Sequence, residues 1–232
     1  MYDKTSHLYD LLYEKGLRKD YATEAAMVAS LVPDARTLLD VACGTGLHLQ
    51  HLSQQFDCAG IDLDEGMLAI ARERCPGVPL TVADMVDFDL GRTFDAVVCM
   101  FSSIGYARTE DRLRRSVATM AAHLNPGGTL VIEPWQQPES WIVGHTHMLI
   151  VDEPDLKLCR MSVSGQTDGC SVMEFAYLVG TPDGIEHLTE THTMGLFTWD
   201  QYQDALELAG LGDVVVQTGG GPMGRGLLIG RV

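Results

Sequence analysis

Three short stretches carry residue types suited to holding a nucleotide-like ligand: the turn Gly44-Thr45-Gly46, Asp62 in C-A-G-I-D-L, and Asp84-Met85 in V-A-D-M. Glycines in such a turn admit a ligand where a side chain would hold the backbone away, and the helix start beyond them presents unpaired N–H groups. Asp62 lies about twenty residues past the turn, the spacing at which a carboxylate binds ribose hydroxyls. Asp84 ends a further strand, and Met85 is placed to lie against an adenine face. A dinucleotide fingerprint, G-x-G-x-x-G, needs a third glycine at position 49; Leu49 stands there, which weakens a pyrophosphate reading.

These residues must be positioned by alternating strands and helices. Thr37 to Val41 reads as a buried strand running into the glycine turn, and Leu47 to Leu52 as the start of a helix. The alternation continues with a strand over 57–63, a helix over 65–74, strands over 79–83 and 94–100, and a helix near 110–124. The turn Asn125-Pro126-Gly127-Gly128 then leads to a strand over 129–133. Such a pattern implies a parallel sheet with helices on both faces and a ligand at the carboxyl ends of its strands, where Asp62, Asp84, Met100 to Tyr106 and Trp135 all fall. From about His145 to Phe197 the period becomes that of antiparallel strands separated by D-E-P-D, Q-T-D-G and T-P-D-G turns. A helix over 198–209 and strands over 213–218 and 226–232 complete the core. The expected fold is α/β: a Rossmann-like seven-stranded sheet with a reversed last strand and an inserted antiparallel sheet over 145–197. The chain reads as a single domain over 1–232. Its first 31 residues form two helices, so that Tyr2, Tyr9, Tyr13 and Tyr21 are either lid and substrate contacts or aromatic packing of a helix pair.

The formal charge of −16, from 16 basic and 32 acidic residues, opposes a broad nucleic-acid-binding face. Two or three local arginines could still hold a diphosphate. No signal-peptide layout and no apolar run of membrane-spanning length is present, which predicts a soluble cytoplasmic protein with no membrane partner. The six cysteines include no C-x-x-C pair and read as reduced core residues. The acidic run Asp84, Asp87, Asp89 lacks the spacing of a magnesium site, and no metal is expected.

Taken together, D-V-A-C-G-T-G, Asp62 and Asp84-Met85 resemble the binding set of class I S-adenosylmethionine (SAM) methyltransferases. Further motifs resemble a narrower group, the SAM-dependent N,N-dimethyltransferases of nucleotide-linked amino sugars in macrolide biosynthesis. They are L-Y-D near the N-terminus, K-D-Y at 19–21, C-M-F-S-S-I-G at 99–105, E-P-W at 133–135, L-F-T at 196–198 and G-G-P-M-G-R-G-L at 220–227, and they span almost the whole chain. The resemblance implies that Tyr21, Gly44, Gly46, Asp62, Asp84, Met85 and Met100 surround SAM, with Asp40 opening the motif. It implies that Tyr2, Tyr106, Trp135, Arg160 and Arg225 face a small-molecule acceptor, joined by Tyr9 from the first helix, and that the protein is a homodimer. Two positions depart from the family pattern: Tyr106 stands where the sugar enzymes carry histidine, and Gln136-Gln137 replaces a Trp-Phe-type pair.

Methyl transfer is an in-line displacement that rewards orientation and exclusion of water. An amine needs only to arrive unprotonated, whereas a hydroxyl or an indole carbon needs a base worth about 10²–10⁴-fold. Tyr106 and, among His145, His147, His187 and His192, most directly His145 are the expected catalytic groups; His48 and His51 are assigned to the fold. Trp135, Trp141, Tyr106, Phe175 and Tyr177 form either an aromatic box or ordinary core. Three readings follow: N-methylation of an amino sugar, methylation of an aromatic or indole-type molecule, and a SAM-binding protein without turnover.

Overall fold

In the computed structural model, which describes residues 5–221 and 223–232, a seven-stranded sheet carries the core. Strand β1 (Thr37–Val41) has four successive buried residues, as a strand covered on both faces requires. It pairs in parallel with β2 (Asp57–Asp62) on one side and with β4 (Phe94–Cys99) on the other. Beyond β2 lies β3 (Leu80–Val82); beyond β4 lie β5 (Leu124–Ile132), β11 (Leu227–Arg231) and β10 (Gly212–Gln217). Strand β11 runs antiparallel to both neighbours, which is the expected reversal. The chain order reverses on either side of β1, and the crevice this opens at the strand ends is the physical reason ligands bind there.

Helices cover both faces. Leu39, Val41, Val97 and Ile132 pack under α5 (Glu110–Ala122) and α6 (Trp199–Leu208), while Leu38, Val98 and Val131 pack under α2 (Tyr21–Leu31) and α3 (Leu49–Leu52). Caps fix the helix starts: Asp20 accepts from the amide of Thr23 at 2.9 Å, and Asp64 accepts from Met67 at 3.2 Å at the head of α4 (Glu65–Arg74). Thr198 and Gln201 form a reciprocal capping box at α6. Each such cap is worth about 1 kcal/mol.

The inserted sheet is a meander of β6 (Thr146–Glu153), β7 (Leu156–Thr167), β8 (Cys170–Thr181) and β9 (Gly184–Gly195). Its inner face, through Leu149, Val151, Leu158, Tyr177 and Val179, packs on Leu8 and Leu12 of the N-terminal helices. Three boundaries differ from expectation. The first helix, α1 (Ser6–Asp10), continues as a π-helical turn over Leu11–Gly16. Helix α3 is a single turn. The Asn125–Gly128 turn falls inside β5, where pairing jumps from Phe94–Leu124 to Ala96–Thr129 and the intervening residues loop out. No helix is long and apolar enough to cross a membrane among the described residues. All six cysteines are free, five of them buried.

Candidate active site

The glycine turn leaves the carboxyl end of β1 with Ala42 at φ +60°, Gly44 at φ +57° and Gly46 at φ +78°. The two glycines serve different ends. Gly44 borders a large cavity, and a Cβ there would have Met67 Cε at 3.8 Å as its nearest neighbour. Gly46 lies against α4 instead: a Cβ would come within 3.2 Å of the Ala71 Cβ and 3.3 Å of Cys75 Sγ, so its small size admits that helix. Across the turn, Asp62 Oδ2 accepts from the Gly44 amide at 2.8 Å and Oδ1 accepts from the Asp64 amide at 2.9 Å. Burial pushes the Asp62 carboxyl up, partly offset by these two donors. Asp84 accepts from the Val86 amide at 3.0 Å and pairs with Arg112 at 3.0 Å. Met85 beside it borders the same cavity.

Beneath Gly44 a small chamber of about 30 Å³ is bordered by Tyr9, Tyr21, Asp40 and Met100. Tyr21 Oη and Asp40 Oδ2 are buried there without a hydrogen-bond partner, and such an orphaned polar pair calls for an occupant. Burial, reinforced by the charge of Asp62, pushes the Asp40 carboxyl up to about 8. In the chamber wall His48 Nε2 meets Glu24 Oε2 at 2.7 Å, and Lys19 completes a buried cluster with Glu24. This places His48 in the packing of α2 against α3.

The large cavity, about 1120 Å³, runs from the glycine turn to the inner face of the inserted sheet. Arg160 is buried in its wall, and Arg225 is half-buried there. Arg160 donates to Tyr13 Oη at 3.3 Å and stacks 4.8 Å from the Phe175 ring. Arg225 donates to Ser102 Oγ at 2.7 Å and stacks 4.4 Å from the Trp135 ring; burial draws its pKa down. Trp135 is anchored by its indole N–H, which donates to Ser171 Oγ at 2.9 Å. Trp141, with its ring 5.9 Å from that of Trp135, donates to the Gly165 carbonyl at 2.8 Å. Tyr9 packs 4.6 Å from Tyr13 and borders both spaces.

The structure thus gathers Tyr9, Gly44, Asp62, Asp84, Met85, Tyr106, Trp135, Arg160 and Arg225 around one cavity, and Tyr21, Asp40 and Met100 around the chamber beside it. Tyr2 lies outside the described residues. His145 is exposed and lines the same cavity at its rim, while the histidine that reaches Tyr106 is the buried His192, with Tyr106 Oη 2.6 Å from its Nδ1. Arg112, absent from the sequence-based set, borders the cavity through its pairing with Asp84. Its separation of 28 residues from Asp84 left no local signal.

The profile of the family described as "Methyltransferase domain" matches residues 38–128. The chain is 44% identical over 229 residues to the dTDP-3-amino-3,4,6-trideoxy-alpha-D-glucopyranose N,N-dimethyltransferase of Streptomyces venezuelae, covering 96% of this chain and 95% of that one. It is 45% identical over 231 residues to the dTDP-3-amino-3,6-dideoxy-alpha-D-glucopyranose N,N-dimethyltransferase of Streptomyces fradiae, covering 97% and 89%. The SAM-bound structure of an amino pentose methyltransferase from Micromonospora echinaspora, involved in calicheamicin biosynthesis, superposes with a TM-score of 0.88 at 40% identity, covering 97% and 96%. Fold and cavity together define a class I SAM-dependent methyltransferase. Within that class, the chain belongs to the family of dTDP-amino-sugar N,N-dimethyltransferases.

Proposed function

We propose that this enzyme methylates the amino group of a dTDP-linked 3-amino-3,6-dideoxyhexose, adding two methyl groups in succession. The observation that carries the reading is the pair of guanidiniums, Arg160 buried and Arg225 half-buried, in the wall of one cavity of a chain whose net charge is −16. Two arginines facing one cavity in an acidic protein suit an anionic ligand, and a diphosphate matches their planar donors.

The cofactor assignment rests on the other end of the same space. The orphaned Asp40 and Tyr21 suit the charged amino-acid portion of SAM, Gly44 gives it backbone room, Asp62 offers free carboxylate lone pairs to ribose hydroxyls, and Met85 borders the base region. Bound SAM supplies an electrophilic methyl group, whose bond to sulfur breaks toward sulfur as the acceptor nitrogen's lone pair forms the new C–N bond. The protein's task is orientation and exclusion of water, for which Trp135, Trp141 and the inner face of the inserted sheet form the walls.

The same reading includes a homodimer joined through the outer face of the inserted sheet, where Met148, Ile150, Met161 and Leu178 are 48–59% exposed on neighbouring strands. Six free cysteines suit a cytoplasmic location.

The experiment is a mass-spectrometric screen of purified protein with SAM against a dTDP-3-amino-3,6-dideoxyhexose and, separately, an indole-ethylamine. One and two added methyls on the sugar support the reading. Methylation of the indole alone replaces it with the aromatic-acceptor reading.

A further inference from the structure

His192 and Glu190 lie two residues apart on β9, so both side chains point to the inner face of the inserted sheet. Their side chains are 3% and 7% exposed, and neither is explained by cofactor binding or by an anionic acceptor. The turn Ser103–Ala107 brings Tyr106 against them, since Gly105 allows the turn to approach Met194 of the same strand. The result is a continuous chain along the wall of the cavity. Tyr106 Oη lies 2.6 Å from His192 Nδ1, and His192 Nε2 lies 3.3 Å from Glu190 Oε2. Glu190 in turn accepts from Tyr177 Oη at 3.0 Å and from the Thr5 hydroxyl.

For a neutral His192 the donors and acceptors fit one arrangement. Burial pushes the Glu190 carboxyl up, but the hydrogen bonds from His192, Thr5 and Tyr177 outweigh it and hold the group below its ordinary value, hence ionised. An ionised Glu190 can only accept, so His192 carries its proton on Nε2. The lone pair on Nδ1 then faces the Tyr106 hydroxyl, which donates to it. Other charged or titratable groups on this side include Tyr177 on β8, Tyr9 of the N-terminal helix, which interacts electrostatically with Tyr106, and Arg160 on β7, the last reached across Phe175, whose ring meets that of His192 at 5.2 Å.

Resting on the amino-sugar reading, we propose that Tyr106, His192 and Glu190 form a proton relay that clears the acceptor nitrogen between its two methylations. After the first transfer the nitrogen is an ammonium without a lone pair, and the second attack cannot begin until one N–H bond breaks. Its proton passes to the Tyr106 oxygen while Tyr106 gives its own hydroxyl proton to His192 Nδ1. The nitrogen regains its electron pair, Tyr106 ends neutral, and His192 ends as an imidazolium beside Glu190. The imidazolium returns its proton through Tyr106 to solvent in the cavity once the spent ligands have left and before the next cycle. His192 and Glu190 act through Tyr106 and are positioning residues; Tyr106 is the group that meets the acceptor.

His192→Asn separates the relay from a packing role, because the Asn carbonyl can still accept from Tyr106 yet cannot hold the proton. Product-resolved kinetics of wild type and His192→Asn are followed from pH 6 to 9 on the dTDP-3-amino sugar. The expected result at pH 6.5 is an accumulation of monomethyl product and a second-step kcat reduced about tenfold or more, short of the 10²–10⁴-fold of a dedicated base because an amine also deprotonates unaided. KM and SAM affinity stay near wild type, and the deficit narrows toward pH 9. Glu190→Gln moves in the same direction and covers the case in which His192→Asn fails to fold. Superimposable pH profiles and product ratios would overturn the relay while leaving N-methylation intact. A second readout needs no acceptor: ¹⁵N-histidine NMR of the free enzyme, with His192 identified by the signals lost in His192→Asn. A proton on Nε2 and an unprotonated Nδ1 support the relay, and a proton on Nδ1 overturns it. If the wild type methylates no amino sugar, the substrate reading fails and the NMR result still decides the hydrogen-bond arrangement.

Discussion

Thr45 Oγ1 donates to Asp10 Oδ1 at 2.6 Å, which ties the N-terminal helix to the glycine turn. Arg74 doubles the link, with one guanidinium nitrogen on Asp10 and another on the Thr45 carbonyl. Asp10 and Arg74 are about four-fifths buried, so this network escapes the solvent screening that leaves exposed pairs nearly neutral. Tyr9, next to Asp10, borders both the cavity and the chamber beneath Gly44. Asp10→Ala should therefore accelerate amide exchange across residues 6–16 and weaken SAM binding roughly tenfold, the equivalent of about 1.4 kcal/mol from one charge-assisted network. Hydrogen-exchange mass spectrometry and calorimetry would check both effects; no change in either would remove the link from cofactor binding.

Asp40 gives the site a pH dependence of definite sign. Its carboxyl stands at about 8 in the folded protein against an ordinary 3.8, first because of burial. The folded state thus holds more protons than the unfolded state between those values, and stability contributed here falls as pH rises from about 4 to 8. Asp40→Asn removes the titration, so its melting temperature should decline less than that of wild type between pH 5 and 8.5. A cationic ligand beside Asp40 favours the ionised form, so SAM binding should release protons below pH 8 in the wild type and not in the variant. Calorimetry in two buffers of different ionisation enthalpy reads that release directly. Equal proton release in both proteins would assign it elsewhere.

The sheet was legible because its signal is local: β1 shows as a continuous apolar run, β6 to β9 as alternating runs broken by turns at D-E-P-D, Q-T-D-G and T-P-D-G. Gly44 and Asp62 stood out for the same reason, the one in the turn after β1 and the other at the end of β2. Gly46 looked identical to Gly44 in sequence, yet what it approaches is Ala71 of α4, a contact that only the packed fold reveals. Among four histidines outside the cofactor half, nothing local distinguished His192 from His145. The pairing with Tyr106 spans 86 residues and depends on the register of β9 and on the approach of the Ser103–Ala107 turn. Strand periodicity places residues on faces; it cannot say which loop arrives opposite them.

Arg225 should discriminate acceptors by charge. Its guanidinium is already oriented by Ser102 and the Trp135 face, so little order remains to be lost on meeting a phosphate. Arg225→Ala should reduce kcat/KM on a dTDP-linked amino sugar by about 10–100-fold, corresponding to about 1.5–3 kcal/mol for a charged hydrogen bond. On the same amino sugar as a neutral methyl glycoside the loss should be several-fold smaller. Equal losses on the two acceptors would mean that Arg225 acts by holding Trp135 rather than by binding charge.

Gly105 is the place where one methyl group should alter the acceptor side and spare the cofactor side. A Cβ there would meet Met194 Cε at 2.8 Å, the Trp135 Cβ at 3.0 Å and the Met194 Cβ at 3.3 Å. The end of Met194 can swing aside, but Trp135 is held at its far end by Ser171, so the indole must tilt or the turn carrying Tyr106 must retreat. Either response disturbs the acceptor wall, while Gly44, Asp62 and Asp40 stand on other strand ends and keep their contacts. Gly105→Ala should raise the acceptor KM several-fold with SAM affinity unchanged. Overpacking of about 1–3 kcal/mol should lower the melting temperature by a few degrees in a chain of this size. Acceptor kinetics beside SAM calorimetry separate the two halves of the site: weaker SAM binding in this variant would show that the turn bearing Tyr106 and the cofactor end move as one body.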